Sequence, residues 1–194
     1  MSKADKTKEY IIERTATVFN TKGYVGTSLN DMTEVTGLTK GSIYGNFKNK
    51  DDVALEAFKF NLGVMSRLFS TEMEKKKTFR ERLLVYSDVV GRFSETTFPK
   101  GGCPILNTAV ESDDTHPVLK QHAAWALIRW KDKIVEILTQ GIAAREFDET
   151  INCEQVALTI LSMLEGGIMI RKLTDNPEYI KSIMKSLSDY ILKL

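Results

Sequence analysis

The chain is short of the residues that staple or interrupt a fold. Its two cysteines, Cys103 and Cys153, are too few and too far apart for a disulfide framework or a paired-thiol metal site. Its four prolines, at 99, 104, 117 and 177, all stand where a loop runs or a helix can begin. Strict polar–apolar alternation is missing and apolar residues recur at steps of three and four, which disfavours a sheet and predicts an all-α chain. No run approaches the ~18 apolar residues of a membrane span. The opening Met-Ser-Lys-Ala-Asp-Lys also lacks the apolar stretch of a secretory signal. The expectation is a soluble, cytoplasmic protein with no membrane partner. No constellation of charged residues marks a metal, a nucleotide or an acyl-CoA, so no metal or cofactor is expected.

What is present suffices for a packed core: 42% hydrophobic and 27% charged residues, near globular averages. The net charge of +1 divides unevenly. Residues 1–50 hold 8 Lys and Arg against 5 Asp and Glu, a net of +3, and the remainder carries −2. The imbalance matters because of where the N-terminal cations fall. Periodicity and start signals predict about nine helices: roughly 5–21, 28–35, 40–46, 50–71, 78–95, a short one after Pro104, 117–144, 152–171, and one from Asn176 to the end. Ser28-x-x-Asp31 fits a capping box and Asn152-x-x-Gln155 resembles one.

Three short helices with a tight Gly37-Leu38-Thr39 turn between the second and third match a helix-turn-helix. Helix 3 is built unlike a packing helix. Only Ile43 and Phe47 face inward, and two glycines, Gly41 and Gly45, each cost about 1 kcal/mol relative to alanine. Glycine suits a backbone that must approach another surface closely. Thr39, Ser42 and Tyr44 can donate to phosphate oxygens, Lys40 can reach a phosphate or a guanine, and Asn46 carries the donor–acceptor pair that reads adenine. Lys48 and Lys50 sit at the start of helix 4, where free N–H groups and the helix dipole also favour an anion. A small polar hairpin with a solvated lysine face is the competing account.

The stretch from Ile12 through Ala16, Phe19, Gly23-Tyr24, Thr27-Ser28-Leu29 and Gly37-Leu38-Thr39-Lys40-Gly41-Ser42-Ile43-Tyr44-Gly45-Asn46-Phe47 to Lys50-Asp51 resembles the TetR family N-terminal domain throughout. That resemblance implies a homodimeric regulator offering helix 3 to the major groove of a palindromic, double-stranded operator. It implies phosphate contacts from Thr27, Tyr44 and Lys50, with Lys40, Ser42, Gly45 and Asn46 where bases are read. Met32-Thr33 departs from the family's usual aliphatic-Ala pair, and Gly45 removes a side chain that relatives use near bases. The expected organisation is a DNA-binding domain over 1–50 and a larger helical ligand-binding and dimerisation domain over 51–194.

Farther on, Gly101-Gly102-Cys103-Pro104 through Glu111, His116-Pro117, Trp130 and Leu164-Glu165-Gly166-Gly167 are similar to a TetR-type subgroup with a Gly-Cys-Pro motif. Helix 8 is apolar on more than one face, and helix 9 carries Ile180, Met184, Leu187, Ile191 and Leu194 in one row. In the family the last two helices form a four-helix bundle with a partner protomer, and the pattern fits. Phe93, Leu106, Val110, Trp125, Arg129 and Met163 are candidate linings of a cavity for a small-molecule effector, although apolar residues at helical spacing are more often plain core. Cys103, before a Pro-initiated helix and after two glycines, would be accessible and reactive as a redox or electrophile sensor. The competing account makes it a packed helix start. Pairing of Cys103 with His116 or His122 could imitate a nucleophile and base, but no oxyanion hole or orienting group accompanies it, so no catalysis is expected. The expected function is a repressor released from DNA by a small molecule, with a thiol sensor or an activator as alternatives.

Overall fold

Most expected helix starts are held by the side chain the pattern placed there. Ser28 and Thr78 accept the backbone N–H of Asp31 and Glu81, whose carboxylates return to the cap backbone and complete two capping boxes. Thr39, Asn152 and Asn176 accept from Ser42, Gln155 and Glu178. Pro104 and Pro177 occupy first-turn positions, where a missing N–H costs nothing.

The structure, a computed structural model, describes residues 2–92 and 98–194. Among them run α1 (Lys3–Gly26), α2 (Leu29–Thr36), α3 (Lys40–Tyr44), α4 (Lys50–Met73), α5 (Phe79–Gly91), α6 (Pro104–Ser112), α7 (Pro117–Ala143), α8 (Cys153–Thr174) and α9 (Pro177–Ile191). Phe93, a candidate effector contact, lies outside the described residues.

The largest local difference from expectation is in α1, which runs past residue 21 to Gly26 through a break at Gly23. Gly23 takes φ 74° and ψ 177°, outside the range of helical residues. The turn beyond it is rebuilt from elsewhere in the chain. Glu111 of α6 accepts the N–H groups of Tyr24 at 2.6 Å and Val25 at 2.7 Å, serving that turn as a cap.

Packing divides the chain into two compact units, residues 1–65 with 98–124, and residues 66–97 with 125–194. In the first, α6 packs against α1, beside a core of Ile11, Ala16, Phe19, Met32, Ile43, Phe47, Val53, Ala54 and Ala57. Buried Asn20 donates to the carbonyls of Lys100 and Gly102 at 2.8 and 3.0 Å. Asn107 donates to the carbonyls of Asn20 and Gly101 at 3.0 and 2.9 Å. The sequence division at residue 50 groups α6 with the C-terminal part; the packing places it with α1. Hydrogen bonds that join Asn20 to residues 80 to 87 positions away carry no local signature.

In the second unit α9 packs against α5 and α8. Phe69, Tyr86 and Trp130 form a tilted aromatic cluster with ring centroids 5.1 to 6.2 Å apart. The α9 row Ile180, Met184, Leu187 and Ile191 is buried and covers the chain's own core. Arg80 closes the C-terminus, donating to the carbonyls of Glu146, Ile191 and Leu192, while the Glu146 carboxylate caps the N–H groups of Phe79 and Arg80. α8 has 22 residues, and an 18-residue window of it reaches a mean hydropathy of 1.4, long and apolar enough by length and composition alone to cross a membrane, as the core helix of a soluble protein can also be. Its Ile160, Leu164 and Ile168 are fully buried in the protein core.

Candidate nucleic-acid interface

The α2–turn–α3 geometry follows from two residues. Gly37 ends α2 in the left-handed conformation, φ 66° and ψ 15°, and its N–H returns to the Thr33 carbonyl. Thr39 then starts α3 after only Leu38. Ile43 and Phe47, 0% and 3% exposed, anchor α3 to the core, as their four-residue spacing required. The opposite side is left to solvent: Thr39, Lys40, Gly41, Gly45 and Lys48 are exposed, and Ser42, Tyr44, Asn46 and Lys50 are half-buried.

Glycine at 41 is not demanded by the protein's own packing. A Cβ there would meet only the Thr39 Oγ1, at 3.9 Å. The helix forgoes alanine where alanine would fit, which is the arrangement expected if something outside the chain comes close to that backbone. Gly45 differs, because a Cβ there would stand 3.1 Å from the Gly41 carbonyl.

Two expected roles, those of Thr27 and Asn46, change on contact with the geometry. Thr27 is fully buried and its hydroxyl donates to the Gly23 carbonyl at 2.6 Å, so it fixes the α1 break and is not placed to touch a phosphate. Asn46 donates its amide N–H to the Ser42 carbonyl at 2.9 Å, engaging part of the pair expected to read adenine. Tyr44 leans against the core while staying partly exposed.

The start of α4 opens at Asn49, as its sequence suggests, and is then organised by Asp51, Asp52, Tyr24 and His116, for which the sequence held no such expectation. Asn49 accepts the Asp52 N–H at 2.9 Å, and Asp52 accepts the Lys48 N–H at 3.2 Å. The Lys50 ammonium lies over the Tyr24 ring, 4.4 Å from its centroid. The Tyr24 hydroxyl donates to Asp51, and His116 meets the same ring edge-on at 4.6 Å between centroids. Burial, reinforced by the Asp51 hydrogen bond, pushes the Tyr24 hydroxyl up to about 12. Tyr24 looks like an ordinary aromatic core position in the sequence; only the kink at Gly23 turns it toward α4.

The candidate effector residues fall in both packing units. Cys103 is fully buried, with Pro104 and Ile105 buried beside it, so the expected accessible thiol is not found: the start of α6 turns into the core. Leu106 is half-buried, and Val110 is 70% exposed. Trp125 is 55% exposed with the Arg129 guanidinium stacked 4.9 Å from its ring, a surface arrangement on α7. Met163 lines an open groove of about 530 Å³ with Asn152, Glu154, Gln155, Leu158, Thr159 and Ser162. Among the described candidates, that groove contains Met163 alone.

The family model for bacterial regulatory proteins of the tetR family matches residues 11–57, the segment just described. A tetracyclin repressor-like C-terminal domain matches residues 80–187, more than half the chain. The chain belongs to the TetR family. It is a helix-turn-helix, DNA-binding transcriptional regulator within a family of regulators, not of enzymes. A TetR family transcriptional regulator from Cytophaga hutchinsonii is 44% identical, with a TM-score of 0.97 over 100% of this chain and 97% of that one. A TetR transcriptional regulator from Chloroflexus aurantiacus is 32% identical, with a TM-score of 0.93 over 99% and 97%. YxaF, an uncharacterized HTH-type transcriptional regulator of Bacillus subtilis, is 27% identical over 88% of this chain and 87% of its own. The TetR fold thus accounts for the whole chain, including the C-terminal helices whose sequence resemblance is weaker.

Proposed function

We propose that the chain is a cytoplasmic homodimeric repressor that binds a palindromic operator through α3 and the start of α4, and that a small-molecule effector releases it. In this reading residues 1–50 read DNA, and residues 51–194 hold the effector and dimer surfaces. Lys40, Gly41, Ser42 and Gly45 face the bases; Thr39, Tyr44, Lys48 and Lys50 take phosphates. Asn46 joins the base contacts if its amide leaves the Ser42 carbonyl.

The observation that carries the reading is the unforced glycine at 41, flanked by the exposed Lys40 on a face with no packing duty. Relatives with the same fold lend support. CifR, 21% identical, has been solved with a 26-bp double-strand operator DNA, and FadR of Bacillus subtilis, 20% identical, with stearoyl-CoA. For assembly, α8 exposes Leu158, Met169 and Leu173 along one side, and Gly166 on that helix has open space where a Cβ would stand. Tyr179 of α9 is also exposed. A dimer through α8 and α9 covers these residues.

Selection of duplexes from a randomised pool, followed by anisotropy titration, tests the DNA reading. A palindromic consensus is expected, with affinity falling steeply as salt rises. Equal affinity for every duplex, or no loss in a Lys40→Ala, Lys48→Ala double variant, overturns it.

A further inference from the structure

We propose that Tyr24 is a positioning residue for the operator contact at the start of α4: its ring carries Lys50, and its hydroxyl holds the Asp51 carboxylate away from that cation. The inference rests on the reading of Lys50 as a phosphate contact.

The chemistry of this turn poses a problem that the structure answers. α4 opens Lys50-Asp51-Asp52, two carboxylates in the first turn beside a cation meant for a polyanion. Carboxylates suit a helix N-terminus, but a free one here would pair with Lys50 or repel a phosphate. Both are occupied. Asp52 accepts the Lys48 N–H at 3.2 Å. Asp51 accepts from the Tyr24 hydroxyl, with the His116 Nε2 3.8 Å from its other oxygen. The Lys50 ammonium rests over the Tyr24 ring, which attracts a cation through its π face without neutralising it. One side chain therefore performs two tasks of opposite sign, attraction of the lysine and restraint of the aspartate.

Tyr24 is in turn fixed at its backbone. Its N–H is one of the two that Glu111 accepts, and the Gly23 break determines its direction. The charged and titratable groups that face Tyr24 are Lys50 and Asp51 of α4, Tyr44 of α3, His116 before α7 and, at its backbone N–H, Glu111 of α6.

The test uses the full protein and the duplex that the wild type selects from a randomised pool, titrated over a series of salt concentrations. Lys50→Ala should lower the salt slope by about one unit per protomer, the signature of one lost phosphate contact. Tyr24→Phe keeps the ring and frees Asp51; it should reproduce most of that loss with a several-fold weaker affinity. Adding Asp51→Asn to Tyr24→Phe removes the freed charge and should restore the wild-type slope. A Tyr24→Phe variant with the wild-type slope, where Lys50→Ala has lost its unit, overturns the proposal, and so does a Tyr24→Phe loss that Asp51→Asn fails to rescue. A Lys50→Ala variant with an unchanged slope overturns instead the underlying reading of α4. Thermal melting of each variant identifies any affinity loss caused by unfolding; a loss that tracks melting and leaves the slope unchanged also overturns the proposal.

Discussion

Glu111 holds the chain at Tyr24: its two carboxylate oxygens accept the Tyr24 and Val25 N–H groups at 2.6 and 2.7 Å, across 87 and 86 residues of sequence. A carboxylate on paired backbone donors is a strong form of the hydrogen bond, and both donors lie just past a helix break, where no intrahelical acceptor exists. Glu111→Ala should therefore destabilise the protein by about 1–3 kcal/mol, with Glu111→Gln intermediate, because two N–H groups lose their acceptor. Denaturant melts of the two variants check the order. Equal stability of wild type and Glu111→Ala would show that the clamp is incidental.

Gly41→Ala separates folding from recognition. The methyl meets nothing of the protein's own within ordinary contact distance except Thr39 Oγ1, and alanine is the better helix former by up to about 1 kcal/mol. The variant should melt at or above the wild-type temperature while binding the selected duplex more weakly. Undiminished binding would remove the main support for close approach of α3 to DNA.

The dimer surface is read by contrast between two leucines. Leu173 on α8 is 77% exposed, whereas Leu187 on α9 is fully buried against the protein's own core. Leu173→Glu should shift light-scattering mass from twice 21.9 kDa toward the single chain with the fold retained. Leu187→Ala should instead cost about 2–5 kcal/mol of stability. A Leu173→Glu protein that stays dimeric would place the interface elsewhere.

Tyr24 links stability to alkaline pH. Its hydroxyl is pushed from 10.0 up to about 12, chiefly by burial and then by Asp51. A group whose folded pKa lies above its unfolded value contributes fully below the unfolded value and loses that contribution as pH rises through the folded one. The window therefore runs from about 10 to about 12. Tyr86, raised further by deeper burial, starts to lose its contribution at the same unfolded value and goes on losing it to higher pH. Urea melts across this range should show Tyr24→Phe losing less stability than wild type; parallel losses would contradict the assignment.

The thiols should behave oppositely to their neighbourhoods in sequence. Cys103, buried, should be slow toward a thiol reagent until the protein unfolds, and Cys153, partly exposed at the start of α8, should react first. Cys103→Ser should then leave oxidant response unchanged. Rapid labelling of Cys103 in the folded protein would reopen the thiol-sensor account.

Much of the fold was legible because its signals are local. Ser28, Thr39, Asn152, Pro104 and Pro177 mark helix starts through bonds within a few residues, and Ile43 with Phe47 declare the inner face of α3 by their spacing. The exposed face of the recognition helix could be read from the same short window. Tertiary structure decided what depends on distant partners. Thr27 is polar and follows a glycine, yet the Gly23 carbonyl takes its hydroxyl and the fold buries it. Cys103 has accessible-looking neighbours, but the Asn20–Asn107 web draws the loop before α6 against α1. The apolar row of α9 would suit a partner's surface or the protein's own; packing against α5 and α8 assigned it inward. Periodicity specifies which face of a helix is buried, since that depends on neighbours three and four residues away. What the face is buried against depends on contacts between residues far apart in the chain, and those exist only once the chain has closed on itself.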